Sequence, residues 1–550
     1  MRLPTDAAEK TIAAAVAAGI TVLDTAHAYG DEPGDNERLV ARALRGAGRA
    51  EGVRIVTKGG MARPQGAWVP DGRAKAIRRD CEASLEALDG LPIDLYLLHA
   101  PDPRTPWRTS VRALGRLVDE GLVPRVGLAN VTRGRLDEAF ELAPVSAVQV
   151  ALSLLDDRAL RGGVVERCAE LDLTLIAHSP LGGPRRAATL ARRPELAAVA
   201  EAHSATSAEA ALAWVLGLGG NVVAIPGATR PETARCAARA ASLVLRDDER
   251  ERLSRPRAAR PPTIPRADAE VVLVMGIPAA GKSRLARARS DADTIRLNRD
   301  ERGGTLRDLS VALDEALASG AQRIVVDSTY TTRDARSHVL DVAGRHSVPV
   351  RCVWVDTPLA QAQANMVERL LDRFGSLPTP AELRSHARHE PGLMAPTSQM
   401  RVLRELEEPS HDEGFAAVER VEFERERRDG GAGVLVAAAT LVSPGWQEAV
   451  GAIDRDAPHL VFDWLPGGSS DDLAEAVAGL SSIVAGPVEA AVCAHAAGPP
   501  ICWCRPPLPG LPLAFARAHG VDPSCSVLVG AGPAHRSLAA ALGARYVQAP

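Results

Sequence analysis

Between Thr21 and Ala228 the chain repeats one pattern seven times: a short apolar run, then an amphipathic stretch with helical spacing. The runs are TVLDTA, VRIVTK, IDLYLLHA, PRVGLAN, AVQVALS, LTLIAHSP and NVVAIPGA, and RTSVRALGRLVDEG typifies what separates them. Brief apolar runs alternating with helices are the mark of parallel strands covered by their own crossover helices. This many repeats predict an α/β fold of the eight-fold barrel type. One strand is wanting: only MRL precedes the first helix, so either the barrel opens on a stub or the true start lies upstream.

At 550 residues the chain is too long for one hydrophobic core, so further domains are expected. The clearest seam is SRPRAARPPTIPRADA, residues 254–269, where proline and arginine replace helical periodicity. A second seam is RERRDGGAGV, residues 425–434. The expected division is a barrel over 1–255, a linker over 256–268, a second α/β domain over 269–428 and a third over 429–550. A net charge of −4 gives no long-range attraction to nucleic acid or membrane, and 3% aromatic content leaves few platforms for stacking bases. No secretion signal or membrane span is read in the sequence, and a cytoplasmic protein is expected. The pair Cys502 and Cys504 has no partner pair at zinc spacing and reads as reduced core thiols.

Active sites of such barrels lie at the carboxyl ends of the strands. Those ends carry Asp24 with Tyr29 just after it, then Lys58, then His99, and lysine is scarce here: only Lys10, Lys58, Lys75 and Lys282. In type and order these four residues, in LDTAHAYG, VTKGG and LLHAPD, resemble the aldo-keto reductases, which implies carbonyl reduction by hydride. That reaction needs a proton donor, and a phenol with a pKa of about 10 donates poorly at neutral pH. Lys58, held by Asp24, is expected to depress the Tyr29 pKa while His99 orients the carbonyl. GDNERLVARAL and WVPDGR extend the resemblance over residues 1–255. The resemblance implies NADPH as cofactor and a small carbonyl compound as substrate. Asn130 and Gln149 would hold the nicotinamide, and Ser179, Leu181 and Gly182 would pass under the pyrophosphate. Ile225, Pro226 and Gly227 would lead to Thr229 and Arg230 at the 2′-phosphate. Ala129, Val150, Cys236 and Ala237 depart from the family pattern around the cofactor.

VVLVMGIPAAGKSRLA reads as a strand, a GxxxxGK[ST] loop from Gly276 through Gly281 to Ser283, and a helix. Such a loop cradles a polyphosphate: Lys282 would neutralise the β- and γ-phosphates of ATP and Ser283 would ligate Mg²⁺. RLNRDERGG resembles the corresponding strand end of polynucleotide kinase-type P-loop kinases. The resemblance makes Asp300 the acceptor of the attacking hydroxyl's proton, with Arg299 or Arg302 gripping the acceptor. It puts Asp327 near Mg²⁺ and lines the acceptor groove with Thr329 and Arg333. NMVERLLDRFG would be the lid helix, with Arg369 and Arg373 on the transferring phosphoryl group. The phosphoryl acceptor is then a hydroxyl compound, an RNA or DNA 5′-end being the one this resemblance names.

The last segment resembles the carboxyl half of haloacid dehalogenase-type phosphatases, but where the nucleophile, lysine and metal aspartate belong it has Val436 and Ala438, Leu508 and Ala531. Apolar side chains cannot attack phosphorus or hold an ion, so the tail is expected to be catalytically dead, with Asp463 a stray carboxylate. An alternative reading makes the barrel a nucleotide-gripping module that regulates the kinase.

Overall fold

The computed structural model describes residues 4–48, 51–183, 186–254, 269–387, 390, 392–423, 429–441, 446–451, 453–466 and 471–549. The expected linker at 256–268 lies outside them. The chain divides into two compact units, residues 1–260 and 261–550.

In the first unit seven strands form one parallel sheet in chain order: β1 (Val22–Asp24), β2 (Arg54–Gly59), β3 (Leu95–Leu98), β4 (Val126–Ala129), β5 (Val145–Ala151), β6 (Thr174–His178) and β7 (Val222–Ile225). Val126, Leu128, Val148 and Leu175 are fully buried, as strands covered on both faces must be. Helix α1 (Thr5–Ala17), ahead of β1, packs beside the helix Pro231–Ala240 that follows β7, which draws the two ends of the sheet together. No ladder joins β7 to β1 among the described residues. Among the described residues the sheet is barrel-like and has seven strands; the expected stub at MRL lies outside them. Helix α2 (Asp35–Gly46) buries Glu37 beneath β2, where the carboxylate accepts from the Thr57 hydroxyl. This polar contact locks the strand that carries Lys58.

The second unit holds two five-stranded parallel sheets. The first runs β9-β10-β8-β11-β12, with β8 (Glu270–Met275), β9 (Thr294–Asn298), β10 (Arg323–Asp327), β11 (Val350–Asp356) and β12 (Ala417–Glu422). The second runs β15-β14-β13-β16-β17, with β13 (Val434–Ala437), β14 (His459–Trp464), β15 (Val488–Cys493), β16 (Val527–Gly530) and β17 (Arg545–Gln548). In both, the first strand in sequence lies central and the chain order reverses beside it. Ligand crevices of open parallel sheets form at the carboxyl end of such a strand. In the first sheet that end opens into Gly276, followed by helix α3 (Lys282–Ala288).

The strands change sheet between residues 422 and 434, yet the side chains on either side share one core. Helix α4 (Leu359–Phe374) packs on α5 (Gly510–His519) and α6 (Pro533–Leu542) of the last segment. Leu370, Leu371, Leu383 and Leu393 meet Trp503, Leu513, Phe515 and Leu538 in a single apolar cluster. Arg517 pairs with Asp372, and Gln361 donates to the Ala541 carbonyl at 3.1 Å. Among the described residues no helix is long and apolar enough to cross a membrane.

Candidate active sites

The parallel register of β1, β2 and β3 sets their carboxyl ends side by side. Lys58 Nζ donates to Asp24 Oδ1 at 2.5 Å and to the Thr25 carbonyl at 2.8 Å, with the lysine only 1% exposed. Gln149 Nε2, on β5, donates to the other oxygen, Asp24 Oδ2, at 2.7 Å. Tyr29 lies in the loop after β1 with its ring centroid 5.2 Å from Lys58 Nζ, and His99 meets that ring edge-on at 5.6 Å between centroids. Trp68 closes the group, 6.0 Å from the Tyr29 ring and 5.5 Å from His99. The structure thus brings Asp24, Tyr29, Lys58 and His99 together, and adds an exposed indole beside them.

The electrostatics differ from expectation at one point. Burial, and then the Asp24 carboxylate, push the Tyr29 phenol up from its ordinary value, so the expected depression by Lys58 is absent. The cause is burial first, joined by Asp24, which also partly offsets the Lys58 charge beside the ring. Lys58 itself is pulled down by burial, with Asp24 opposing. Burial, followed by Lys58 and His178, holds His99 down to about 3, so its imidazole is neutral at working pH. His99 Nδ1 is buried without a hydrogen-bond partner.

The expected nicotinamide pair is split. Gln149 is 3% exposed with its amide committed to Asp24, whereas Asn130 is exposed at the end of β4. Asn130 adopts φ = +58° and donates from Nδ2 to the His99 carbonyl at 3.0 Å. Its Oδ1 lies 3.0 Å from His178 Nε2, and His178 Nδ1 lies 3.2 Å from Ser179 Oγ. His178 was missed; the strand-end rule that found His99, applied to LTLIAHSP, points to it. Leu181 and Gly182 follow Ser179, Ile225 ends β7, Pro226 and Gly227 form the next turn, and Thr229 and Arg230 stand exposed before the helix Pro231–Ala240.

In the second unit the loop after β8 is shaped by its glycines. A Cβ at Gly276 (φ = +149°) would lie 2.6 Å from the Val355 carbonyl oxygen, and one at Gly281 (φ = +95°) 2.9 Å from the Phe423 ring. Four consecutive carbonyls between them are each taken by a side chain. Ile277 O accepts from Lys282 Nζ at 2.8 Å, Pro278 O from Gln399 Nε2 at 2.9 Å, Ala279 O from Asn365 Nδ2 at 2.9 Å and Ala280 O from Thr357 Oγ1 at 2.8 Å. Because the two polar ends of a peptide unit point apart, carbonyls fixed outward leave the loop's amides to face an anion. Gln399, Asn365 and Thr357 were not anticipated.

Lys282 is buried, and burial pushes it down to about 8, with Asp327 opposing. Ser283, beside it in the first turn of α3, is half-buried. Asp327, at the end of β10, accepts on Oδ2 from Asn298 Nδ2 at 2.6 Å and Arg296 Nη2 at 2.8 Å, neither of which was expected. Its Oδ1 is buried without a partner. A cavity of ≈ 790 Å³ brings Asp300, Arg369 and Arg373 together beside Ala279 and Gly281. Arg299 Nη2 lies 3.3 Å from Asp300 Oδ1, and Arg369 Nη1 donates to the Gly392 carbonyl at 3.3 Å. Arg373 is paired with Glu390. Arg333 does not line this cavity: its guanidinium is 2.8 Å from Asp412 Oδ2. Thr329 and Arg302 also lie outside the cavity lining.

In the last segment Val436, Ala438 and Leu508 are buried apolar residues and Ala531 is exposed after β16. Asp463 accepts from the Ala439 amide at 3.1 Å, with His535 Nε2 3.7 Å away. Cys502 and Cys504 are not isolated core thiols, because the fold sets Cys493 and His495 beside them.

The model of the aldo/keto reductase family matches residues 1–255, and that of the AAA domain matches residues 271–390. The second unit therefore carries a P-loop domain of the AAA type. The aldo-keto reductase str7 of Strobilurus tenacellus is 31% identical over 269 residues, 44% of this chain and 78% of its own length. A probable aldo-keto reductase 1 of Glycine max is 35% identical over 242 residues, 38% of this chain and 68% of its own. Among solved structures, an aldo-keto reductase from Klebsiella pneumoniae in complex with NADPH is 28% identical, with 46% of this chain and 88% of that one covered at a TM-score of 0.40. With such identity over most of a relative's length, the chain belongs to the aldo/keto reductase family.

Proposed function

We propose that the first unit reduces a small aldehyde or ketone with NADPH, and that the second transfers a phosphoryl group from ATP to a hydroxyl. The observation that supports the first reading is the buried Asp24–Lys58 pair, held against Tyr29 and beside a neutral His99. Asn130, Ser179, Leu181, Gly182 and the Ile225–Gly227 turn would hold the nicotinamide and pyrophosphate, with Gln149 bracing Asp24 behind them. Thr229 and Arg230 offer a hydroxyl and an exposed guanidinium, the donor set a 2′-phosphate calls for. NADPH, when bound, supplies the hydride. His99 orients the carbonyl oxygen, Tyr29 Oη gives it a proton, and Lys58 stabilises the phenolate left behind. Asp24 keeps Lys58 charged and in place.

For the second unit, the outward-fixed carbonyls of residues 277–280 support a polyphosphate cradle. Lys282 and the amides at the start of α3 would hold the β- and γ-phosphates. The Ser283 hydroxyl and the unpartnered Asp327 Oδ1 fit Mg²⁺, which would supply charge neutralisation. Asp300 takes the proton of the attacking hydroxyl. Arg369 faces the developing phosphoryl charge, and Arg373 joins it once released from Glu390. The acceptor we propose, from the resemblance of RLNRDERGG, is a polynucleotide 5′-hydroxyl, and the last segment is a phosphatase-like fold without its reactive groups.

Two assays test this. NADPH consumption with a panel of aldehydes and ketones should be lost in Tyr29→Phe, whereas NADPH binding without turnover on any carbonyl makes the barrel a nucleotide-holding module. Labelled γ-phosphate should pass to a 5′-hydroxyl oligonucleotide and not in Lys282→Ala. Transfer only to small alcohols would replace the polynucleotide with a metabolite.

A further inference from the structure

The chain leaving β15 runs through residues 494–509 to α5 without a helix or strand. This long connection is nonetheless anchored. Trp503, in its middle, is 2% exposed, packs into the apolar cluster shared with α4, and donates from Nε1 to the Met394 carbonyl at 3.0 Å. On either side of Trp503 stand Cys502 and Cys504, and at the start of the connection stand Cys493 and His495.

Their four ligand atoms, Cys493 Sγ, His495 Nδ1, Cys502 Sγ and Cys504 Sγ, lie within 4.8 Å of one another. Cys493 Sγ is 3.6 Å from Cys502 Sγ, and His495 Nδ1 is 3.4 Å from both Cys493 Sγ and Cys504 Sγ. A disulfide is excluded at that sulfur separation, since the bond requires about 2.0 Å. A tetrahedral zinc ion, with Zn–S of about 2.3 Å and Zn–N of about 2.0 Å, sets sulfurs about 3.8 Å apart and sulfur and nitrogen about 3.5 Å apart. These three separations match the tetrahedron's edges to within a few tenths of an ångström, and the other three stay within 4.8 Å. Two of the four residues are buried and two half-buried, as a closed structural site requires. Outside the ligands, Trp464 Nε1 donates to the His495 carbonyl at 2.8 Å, and the Arg505 guanidinium stacks 3.7 Å from the Trp464 ring centroid. This is the kind of surrounding contact that fixes a ligand's backbone and offsets the complex's negative charge.

We propose that Cys493, His495, Cys502 and Cys504 form a structural zinc site that fastens the connection 494–509 and, through Trp503, its seat against α4. Binding forms three Zn–S bonds and one Zn–N bond, and the three thiol protons leave to solvent, giving a complex of net charge −1 with no change in oxidation state. Thiolate and imidazole donors in tetrahedral array favour zinc over hard cations.

The test is elemental analysis of the full-length chain, purified without chelator. About one zinc per chain is expected, retained through gel filtration. It should be lost in the Cys502→Ser/Cys504→Ser double variant and kept in Cys525→Ser, an exposed thiol outside the cluster. Should the double variant fail to fold, the wild-type chain decides alone: stripped with an organomercurial and reloaded with Co²⁺, it should show sulfur-to-cobalt charge transfer and the intense visible bands of a tetrahedral thiolate site. Wild-type protein that holds no more zinc than the double variant, gives only octahedral cobalt spectra, or carries a Cys493–Cys502 disulfide when fresh overturns the proposal.

Discussion

Each unit buries a lysine at the end of a parallel strand or the start of the helix that follows it, and the two lysines are held in opposite ways. Lys58 has its counter-ion built in, Asp24 Oδ1 at 2.5 Å, with Gln149 bracing the far oxygen. Lys282 donates to a carbonyl, Ile277 O at 2.8 Å, with Asp327 acting on it through space and no ion pair among the described residues, and burial pulls it down to about 8. A charge compensated inside the fold can work on a neutral substrate, because nothing it meets needs to neutralise it. One left uncompensated is completed by an anion from outside. The contrast supports the carbonyl and phosphate readings proposed for the two units.

The largest effect should come from removing the compensated cation. Lys58→Met should lower kcat/KM for carbonyl reduction about 10²–10⁴-fold, measured by NADPH consumption. Next is what each lysine costs the fold. Asp24→Asn orphans a buried ammonium and should lower unfolding stability by about 3–5 kcal/mol in urea titration. Lys282→Met orphans no charge and strands only the Ile277 carbonyl, so it should cost no more than about 1–3 kcal/mol; a loss comparable to that of Asp24→Asn would break the comparison. Gln399→Leu, which strands the Pro278 carbonyl, should destabilise by about 1–3 kcal/mol and raise the KM for ATP, seen by titration against nucleotide.

The pH dependence is smaller. With Lys282 folded at about 8 and unfolded at about 10.5, the unfolded chain holds the extra proton in between. That burial penalty is full below pH 8 and fades as pH rises toward 10.5. Nucleotide binding runs the other way, because phosphates want the charged form. ATP affinity should weaken above about pH 8 by no more than about tenfold per pH unit, with proton uptake visible by calorimetry in two buffers. Lys282→Arg should flatten this. The smallest effect is Trp68→Ala, an indole 50% exposed beside Tyr29 and His99. It should raise the KM of aromatic aldehydes by a factor equivalent to about 0.5–1.5 kcal/mol and leave kcat near its original value.

What was legible in the sequence was what strand periodicity and short motifs encode. The strand ends carrying Asp24, Lys58 and His99, and the loop from Gly276 to Ser283, follow from counting along one element at a time. What escaped depends on elements meeting from afar. Gln399 and Asn365 reach the loop across 121 and 86 residues, and no local pattern marks them. The Tyr29 shift escaped because burial depth is a property of the packed site and not of residue type. Cys493 and His495 were passed over because one residue, in place of the usual two to four, separates the members of each pair. The seam at residues 425–434 was read from composition, which could not show that Leu370 and Phe515 would join one core.

Helix α4 turns Arg369 and Arg373 to the cavity beside Gly281 and Leu370 and Leu371 to the last segment. A helix greased on one side and geared on the other cannot swing freely: rotation would strip its leucines from Trp503 and Phe515. Its travel during turnover is therefore confined to sliding over packed neighbours by the ångström or two that such shear allows. On the phosphoryl transfer proposed above, the stroke of that site is set by the last segment, so damage deep in α5 should surface as altered nucleotide turnover.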